Sequence, residues 1–197
     1  MTSILVVCTG NVCRSPIAEG FLRAAFEARM GSDAPEVASA GTMGWTGSRA
    51  DPSSVEAAAE RGIDISGHRA REVSDDEVAR STLILAMAPE HARAFDRGAR
   101  SRTFTLKELV RLLEALPERD GSSAQRLPDL IAAADELRER GFQGDPRTEG
   151  SVDPLGMPLD GFRNVAAELD EWCSRLVDGL VGSSHARTPT GPTGSET

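Results

Sequence analysis

Val6-Val7-Cys8-Thr9-Gly10-Asn11-Val12-Cys13-Arg14-Ser15-Pro16 decides how this chain folds. Upstream, Ile4 to Val7 is an unbroken aliphatic run, the pattern of a strand buried on both faces. Downstream, Ser15-Pro16-Ile17-Ala18-Glu19 reads as a helix start, with Ser as N-cap, Pro at the first helical position and Glu in the first turn. The loop between them aims several backbone N–H groups, and the positive end of the helix, at one point. That is a cradle for an oxyanion. A cysteine in such a setting is expected to act as a thiolate. With Arg14 as a clamp, a thiolate under a bound oxyanion can displace a phosphoryl group. The Cys8-to-Arg14 spacing alone says little, because every basic residue except Lys107 and the N-terminus is Arg. The context of strand, Gly-Asn loop and Ser-Pro helix start carries the reading.

A length of 197 residues with 39% apolar content fits one domain with a real core. Net charge is −9 and aromatic content only 4%, with no basic patch or aromatic-rich strand, which argues against a nucleic-acid partner. The acidic field would repel polyanions and leave the cradle to small phosphorylated groups. The apolar run after Met1 is too short for a leader and lacks a basic flank. No apolar stretch is long enough to span a membrane. Three cysteines without regular spacing suggest a reducing cytoplasm, not a disulfide scaffold. Cys8 and Cys13 are not at a usual zinc spacing and no His pair lies near, so no metal and no cofactor are expected. The chain is read as a monomer.

Strand and helix signals alternate. Ile17 to Met30 is an amphipathic helix with Ile17, Phe21, Leu22, Ala25 and Phe26 on one face. Val37 to Ser39 is a short strand closed by Ala40-Gly41. Pro52 to Arg61 is a helix stopped by Gly62, and Ser74 caps another short one. Thr82 to Met87 is a second apolar strand, Pro89 to Phe95 is helical, and Arg102 to Thr105 is a strand leading into a helix over Leu106 to Ala115. This order predicts an α/β fold: a four-stranded parallel sheet with helices on both faces and the phosphate-binding loop after strand 1. Ligands of such sheets bind at the carboxyl ends of the strands, where Cys8 sits. Residues 117–150 are polar and rich in Gly, Pro and Ser, with one helix over Pro128 to Arg140. Leu159 to Val181 is a long amphipathic helix. One domain over 1–182 is expected, with 117–150 inserted in it, followed by a disordered tail over 183–197.

Further landmarks are Ser39-Ala40-Gly41-Thr42, Trp45, His68-Arg69-Ala70-Arg71 and Asp153-Pro154. With Cys8 to Pro16 they occur in the order found in the low-molecular-weight protein tyrosine phosphatase family, which this chain resembles over most of Met1 to Leu180. The resemblance implies Cys8 as the nucleophile of a phosphocysteine intermediate and Arg14 as a bidentate phosphate clamp. It implies that Thr9, Gly10, Asn11, Val12, Cys13 and Arg14 hold the phosphoryl oxygens through backbone N–H groups. Ser15 would hydrogen-bond the sulfur, while Asn11, Ser39 and His68 support the loop. Asp153 would protonate the leaving group and then activate water. Trp45 would wall the substrate pocket. Cys13 reads either as a thiol able to trap an oxidised Cys8 or as an inert small apolar residue. Cys173 reads as buried packing on the far side of the fold from the loop.

The chain departs from the family pattern in three places. Leu155 follows Asp-Pro where many members carry an aromatic. Ala88-Pro89-Glu90-His91 stands where many carry Asp-x-x-Asn, a difference read as bearing on fold support more than chemistry. The 117–150 insertion reads as a surface feature. The expected substrate is a phosphorylated protein or small aryl phosphate, phosphotyrosine above all. Thr82 to His91 and Phe104 to Glu108 look like the protein-arginine phosphatase branch, but Val12 stands where that branch has Thr, and its apolar bulk would suit a planar ring. An arsenate reductase would need further thiols near the loop, absent from Ser74 to Arg102. A phospho-ligand binding module without turnover would not need Cys8, Arg14, Ser15 and Asp153 together.

Overall fold

The computed structural model describes residues 2–43, 45–117, 127–142, 144 and 147–182. Strand β1 (Ser3–Cys8) lies in the middle of the sheet. Its aliphatic run alternates sides: Ile4, Val6 and Cys8 enter the larger core, whereas Leu5 and Val7 enter a smaller one on the other face. A strand with both faces buried is what a parallel sheet requires. It pairs in parallel with β2 (Glu36–Gly41) on one side and β3 (Leu83–Ala86) on the other, and β4 (Thr103–Thr105) completes the order β2-β1-β3-β4. The expected α/β architecture is therefore the observed one.

Helices cover both faces. The larger core is filled by α1 (Arg14–Met30), α2 (Pro52–Ala59), α5 (Leu106–Ala115) and α7 (Leu159–Val181). Ile17, Phe21, Leu22 and Phe26 of α1 meet Phe162, Leu169, Cys173 and Leu176 of α7 in this layer. The other face is covered by α3 (Asp75–Arg80) and α4 (Pro89–Ala92), with Val78, Ala92 and Phe95 packed on Leu5, Val7 and Ile84. Helix α6 (Leu127–Glu139) packs on α5 and closes the β4 edge. Its Arg138 lies over the Phe104 ring at 4.2 Å and donates to the Thr103 carbonyl at 2.9 Å. An edge strand with a free carbonyl row invites pairing by another chain, and this cover removes part of that row.

Two local expectations are corrected. Helix α1 begins at Arg14, with Cys13 as N-cap and no side-chain cap, so Ser15 is a helical residue. The reason is that the Ser15 hydroxyl is engaged by Cys8 and Asn11 instead. Glu19 lies beyond the first turn and serves another purpose, described below. The helix expected over Pro89 to Phe95 shrinks to the single turn Pro89–Ala92, because Phe95 leaves the helical path to pack on the second core. The tail over 183–197, and residues 118–126, 143 and 145–146 of the insertion, lie outside the described residues.

Candidate active site

The loop from Cys8 to Ser15 leaves the carboxyl end of β1 and turns back into α1. Asn11 sits at its apex with φ +56°, the left-handed region that Asn tolerates best after Gly. The residue is fully buried, so its amide must be satisfied internally. Its Nδ2 donates to Ser15 Oγ at 2.9 Å and Ser39 Oγ at 2.8 Å, and its Oδ1 accepts from the Arg71 backbone N–H at 3.1 Å. His68 Nε2 lies 2.8 Å from the Asn11 carbonyl. A carbonyl only accepts, so this nitrogen carries the proton. Asn11, Ser39 and His68, which the resemblance implies as loop support, are thus joined through Asn11, and Ser15 is bonded to the same amide.

Proton counting along this network has a chemical consequence. Ser39 donates to Glu19 Oε2 at 2.6 Å. Ser15 Oγ already accepts from Asn11, so its own proton is free to point at Cys8 Sγ, 3.0 Å away. A charged sulfur accepts such a bond more strongly than a neutral one. Glu19, which the sequence offered only as a dipole residue, terminates the relay as its carboxylate acceptor.

Arg14 is 4% exposed and lies at the start of α1. Its NH1 donates to the Ser151 carbonyl at 3.1 Å and its NH2 to Asp153 Oδ2 at 2.7 Å. Its buried Nε has no partner among the described residues. One guanidinium thus joins the loop to Asp153, 139 positions away in sequence. The Asp153 side chain is 48% exposed, so it bridges the buried Arg and solvent. The segment that carries it is tied down by Ser151, whose N–H donates to the Met87 carbonyl at 2.8 Å and whose Oγ reaches Glu168 at 2.8 Å. Lys107 ties the same segment to α7, donating to the Gly150 carbonyl at 3.1 Å and pairing with Glu168 at 2.9 Å.

Trp45, 42% exposed, lies over the loop so closely that a Cβ on Gly10 would meet its ring at 3.0 Å. Met43, Val152, Leu155 and Met157 are also exposed on the segments around the loop, giving the site an apolar rim. Val12 is 6% exposed and packs in the larger core. It has little surface left to press on a substrate ring, so the expected aromatic contact falls to Trp45. Cys13 is buried and reduced, and burial pushes its thiol up to about 12. Cys173 is buried as expected, but not on the far side. Its Sγ lies 3.9 Å from the Ala18 carbonyl, one turn along α1 from the loop.

No role for His91 was expected from the sequence, yet it is 2% exposed and its Nε2 lies 2.9 Å from Thr9 Oγ1. The Ala88-Pro89-Glu90-His91 segment therefore reaches the loop itself and does more than support the fold. Gly41 is a second such residue. A Cβ there would lie 2.6 Å from the Thr9 carbonyl oxygen and 2.9 Å from that of Met43, so only glycine lets β2 pass under the loop.

A four-stranded parallel α/β sheet with a cysteine at the head of the loop after β1, and an arginine shared between that loop and a distant aspartate, defines the class of this protein by fold and site. The family model for low molecular weight phosphotyrosine protein phosphatase matches residues 3–130, and the chain belongs to that family. It is 44% identical over 101 residues to a probable low molecular weight protein-tyrosine-phosphatase of Ralstonia solanacearum, covering 51% of this chain and 66% of that one. A second Ralstonia relative is covered over 54% of its length, so the chain spans between half and two thirds of these relatives. It is 38% identical to a protein-arginine-phosphatase of Bacillus subtilis over 181 residues, covering 90% of this chain and 95% of that one. The crystal structure of a low molecular weight protein tyrosine phosphatase from T. tengcongensis superposes with a TM-score of 0.67 at 31% identity, over 91% of this chain and all of that one.

Proposed function

We propose that this protein is a phosphomonoesterase, a protein-tyrosine-phosphatase working through a phosphocysteine on Cys8. The observation that carries the reading is the convergence of Cys8 Sγ, the donating Ser15 hydroxyl and the Arg14–Asp153 pair on one loop. Cys8 sulfur attacks phosphorus; the S–P bond forms as the bond to the leaving oxygen breaks. Arg14 and the loop N–H groups take up the charge on the equatorial oxygens. Asp153 gives its proton to the leaving oxygen, then takes one from the water that splits the S–P bond. Phosphate leaves, and Ser15 donates to the returning sulfur.

The Arg14–Asp153 bridge fits this sequence. An incoming phosphoryl group competes with the Asp153 carboxylate for Arg14. Losing the guanidinium frees the Asp153 carboxyl group to turn toward the leaving oxygen. No step calls on a metal, because nucleophile, clamp and acid all come from the chain. Trp45 supports an aryl substrate, since stacking adds about 1 kcal/mol. The three free thiols fit a cytoplasmic protein, and no described helix is long and apolar enough to cross a membrane. The reading takes residues 1–182 as one catalytic unit with 117–150 inserted in it, acting as a monomer and without nucleic-acid or membrane partners.

A protein-arginine phosphatase is the second reading. It is favoured by the match to such an enzyme along nearly the whole chain, and by the burial of Val12, which removes the expected apolar contact with a ring. The two are separated by hydrolysis of a phosphotyrosine and a phosphoarginine peptide side by side, without added metal, by wild type and Cys8→Ser. Phosphotyrosine turnover that disappears in Cys8→Ser is expected. A preference for phosphoarginine moves the chain to the second reading, and turnover of neither overturns both.

A further inference from the structure

The loop has three side-chain anchors, and two of them meet at its apex. The Asn11 amide ties the middle of the loop to Ser15 and Ser39, and His68 holds the Asn11 carbonyl. The third lies at the beginning, where Thr9 follows the nucleophile. The Thr9 side chain is held by His91, which comes from α4 beyond β3, 82 positions away. The Thr9 carbonyl is held separately, by the Met43 N–H at 3.0 Å.

The state of the imidazole follows from its surroundings. Nε2 is 2.9 Å from Thr9 Oγ1, while Nδ1 is buried without a partner among the described residues. A buried N–H without an acceptor is rarer in proteins than a buried lone pair without a donor. By this count the proton is on Nε2 and is donated to Thr9 Oγ1. Burial holds the ring below its ordinary titration range, and the nearby Arg14 charge acts in the same direction, so the ring is neutral where the loop works. A neutral donor here fixes Thr9 without adding a second cation beside Arg14.

We propose that His91 is a positioning residue for the phosphoryl group: through Thr9 Oγ1 it sets the aim of the first N–H of the loop, the one next to the attacking sulfur. The Asn11 and His68 anchors do not reach this end, where the Cys8 carbonyl accepts from the Thr42 N–H at 2.9 Å and the Thr9 carbonyl from the Met43 N–H, both at the end of β2. With the His91 bond lost, the Cys8–Thr9 peptide is held from that side alone and can tilt about those two bonds, shifting its N–H. The inference rests on the loop being a phosphate site, and its test uses a readout that does not need turnover.

The experiment measures binding of inorganic phosphate by calorimetry, together with kcat and KM, for His91→Leu, His91→Gln, Thr9→Val and the double variant His91→Leu/Thr9→Val. Glutamine places an amide nitrogen near the former Nε2 and keeps a donor. His91→Leu and Thr9→Val are each expected to weaken phosphate binding and lower kcat by about tenfold, the factor that goes with one lost hydrogen bond. KM changes less, because aim matters most in the transition state. The double variant is expected to be no worse than either single one, since both cut the same bond. His91→Gln is expected to recover binding to within about threefold. Measured well below the melting temperature of each variant, where nearly all the protein is folded, the Kd does not report stability, so a merely structural histidine would lower the melting temperature and leave the phosphate Kd unchanged. Losses that multiply in the double variant, or a wild-type Kd in His91→Leu, overturn the proposal. Phosphate binding that responds as expected without turnover of any substrate would overturn the phosphatase reading and leave the role of His91 standing.

Discussion

At the residue scale, the site depends on a few side chains whose value comes from what stands beside them. Asp153 shows this most directly. Its pairing with Arg14 at 2.7 Å occupies the donor that a phosphoryl oxygen needs. Asp153→Asn is expected to lower kcat by roughly 10²- to 10³-fold, the usual share of a general acid. It should also tighten phosphate binding, because the competing carboxylate is gone. Steady-state rates and calorimetry on the same preparation check both. Gly41→Ala tests the close approach under the loop. Its Cβ would fall within 3 Å of two backbone oxygens, and backbone cannot rotate away as a side chain can. Loss of phosphate binding with the sheet still folded by circular dichroism is the expected result. That Cys8 and Arg14 share one loop was legible in the sequence, because it follows from local order: strand, loop, helix. Gly41, Glu19 and His91 were not, because what each does depends on a neighbour brought in by the fold. No spacing in the chain announces that His91 meets Thr9. The same limit explains the misread cap, since Ser15 has the right chemistry for an N-cap and uses it on a sulfur.

At the scale of elements, the two helices with the strongest sequence signals, α5 and α7, begin and end where periodicity placed them, while α1 shifts at the end that carries the site and α4 at the end where Phe95 turns onto the smaller core. Helix α5 is secured by a capping box in which Thr105 and Glu108 bond each other's backbone N–H. Thr105 is buried and its hydroxyl also donates to Glu149 at 3.0 Å. Thr105→Ala should therefore cost about 1–2 kcal/mol in urea denaturation, the upper range for a cap. Helix α4 makes stability depend on pH. Burial, helped by Arg14 and opposed by Glu90 and Asp153, holds His91 below its ordinary value of 6.5. The unfolded chain then takes up a proton that the folded one refuses, so the stability is whole above pH 6.5 and drains away as pH falls. Cys13 acts at the other end of the scale. Its thiol is raised from 9.0 to about 12, so stability is lost as pH climbs above 9. Melting temperatures across pH 5–10 should fall at both ends. The acid fall should be smaller in His91→Gln and the alkaline fall smaller in Cys13→Ala.

At the scale of the whole molecule, the proposed nucleophile Cys8 and the proposed acid Asp153 lie far apart in sequence, and Arg14, on the loop that carries Cys8, bonds Asp153 directly. Two structures bring them together. One is the α1–α7 layer, where Leu169 is fully buried beneath the loop-bearing helix. The other is a tether that runs through Lys107, which donates to the Gly150 carbonyl, pairs with Glu168 and lies 5.8 Å from the Trp172 ring. Glu168 in turn accepts from Ser151, whose carbonyl is held by Arg14. Lysine is well suited here, because a compact ammonium can serve a carbonyl, a carboxylate and a ring face at once, whereas the planar fork of Arg favours one flat partner. This chain uses Arg for nearly every other cation, which makes the exception at position 107 informative. The tether holds the segment that carries Asp153, and among the residues named here it meets the loop only at Arg14 NH1, through the Ser151 carbonyl. Lys107→Met should therefore separate the two functions, lowering kcat by about tenfold or more as Asp153 loses its placement, while the phosphate Kd stays within about twofold of wild type. Lys107→Arg should recover little of the lost rate despite keeping the charge. If Lys107→Met weakens phosphate binding and rate in equal measure, the tether acts on Arg14 as much as on Asp153, and the two functions are not separable through it.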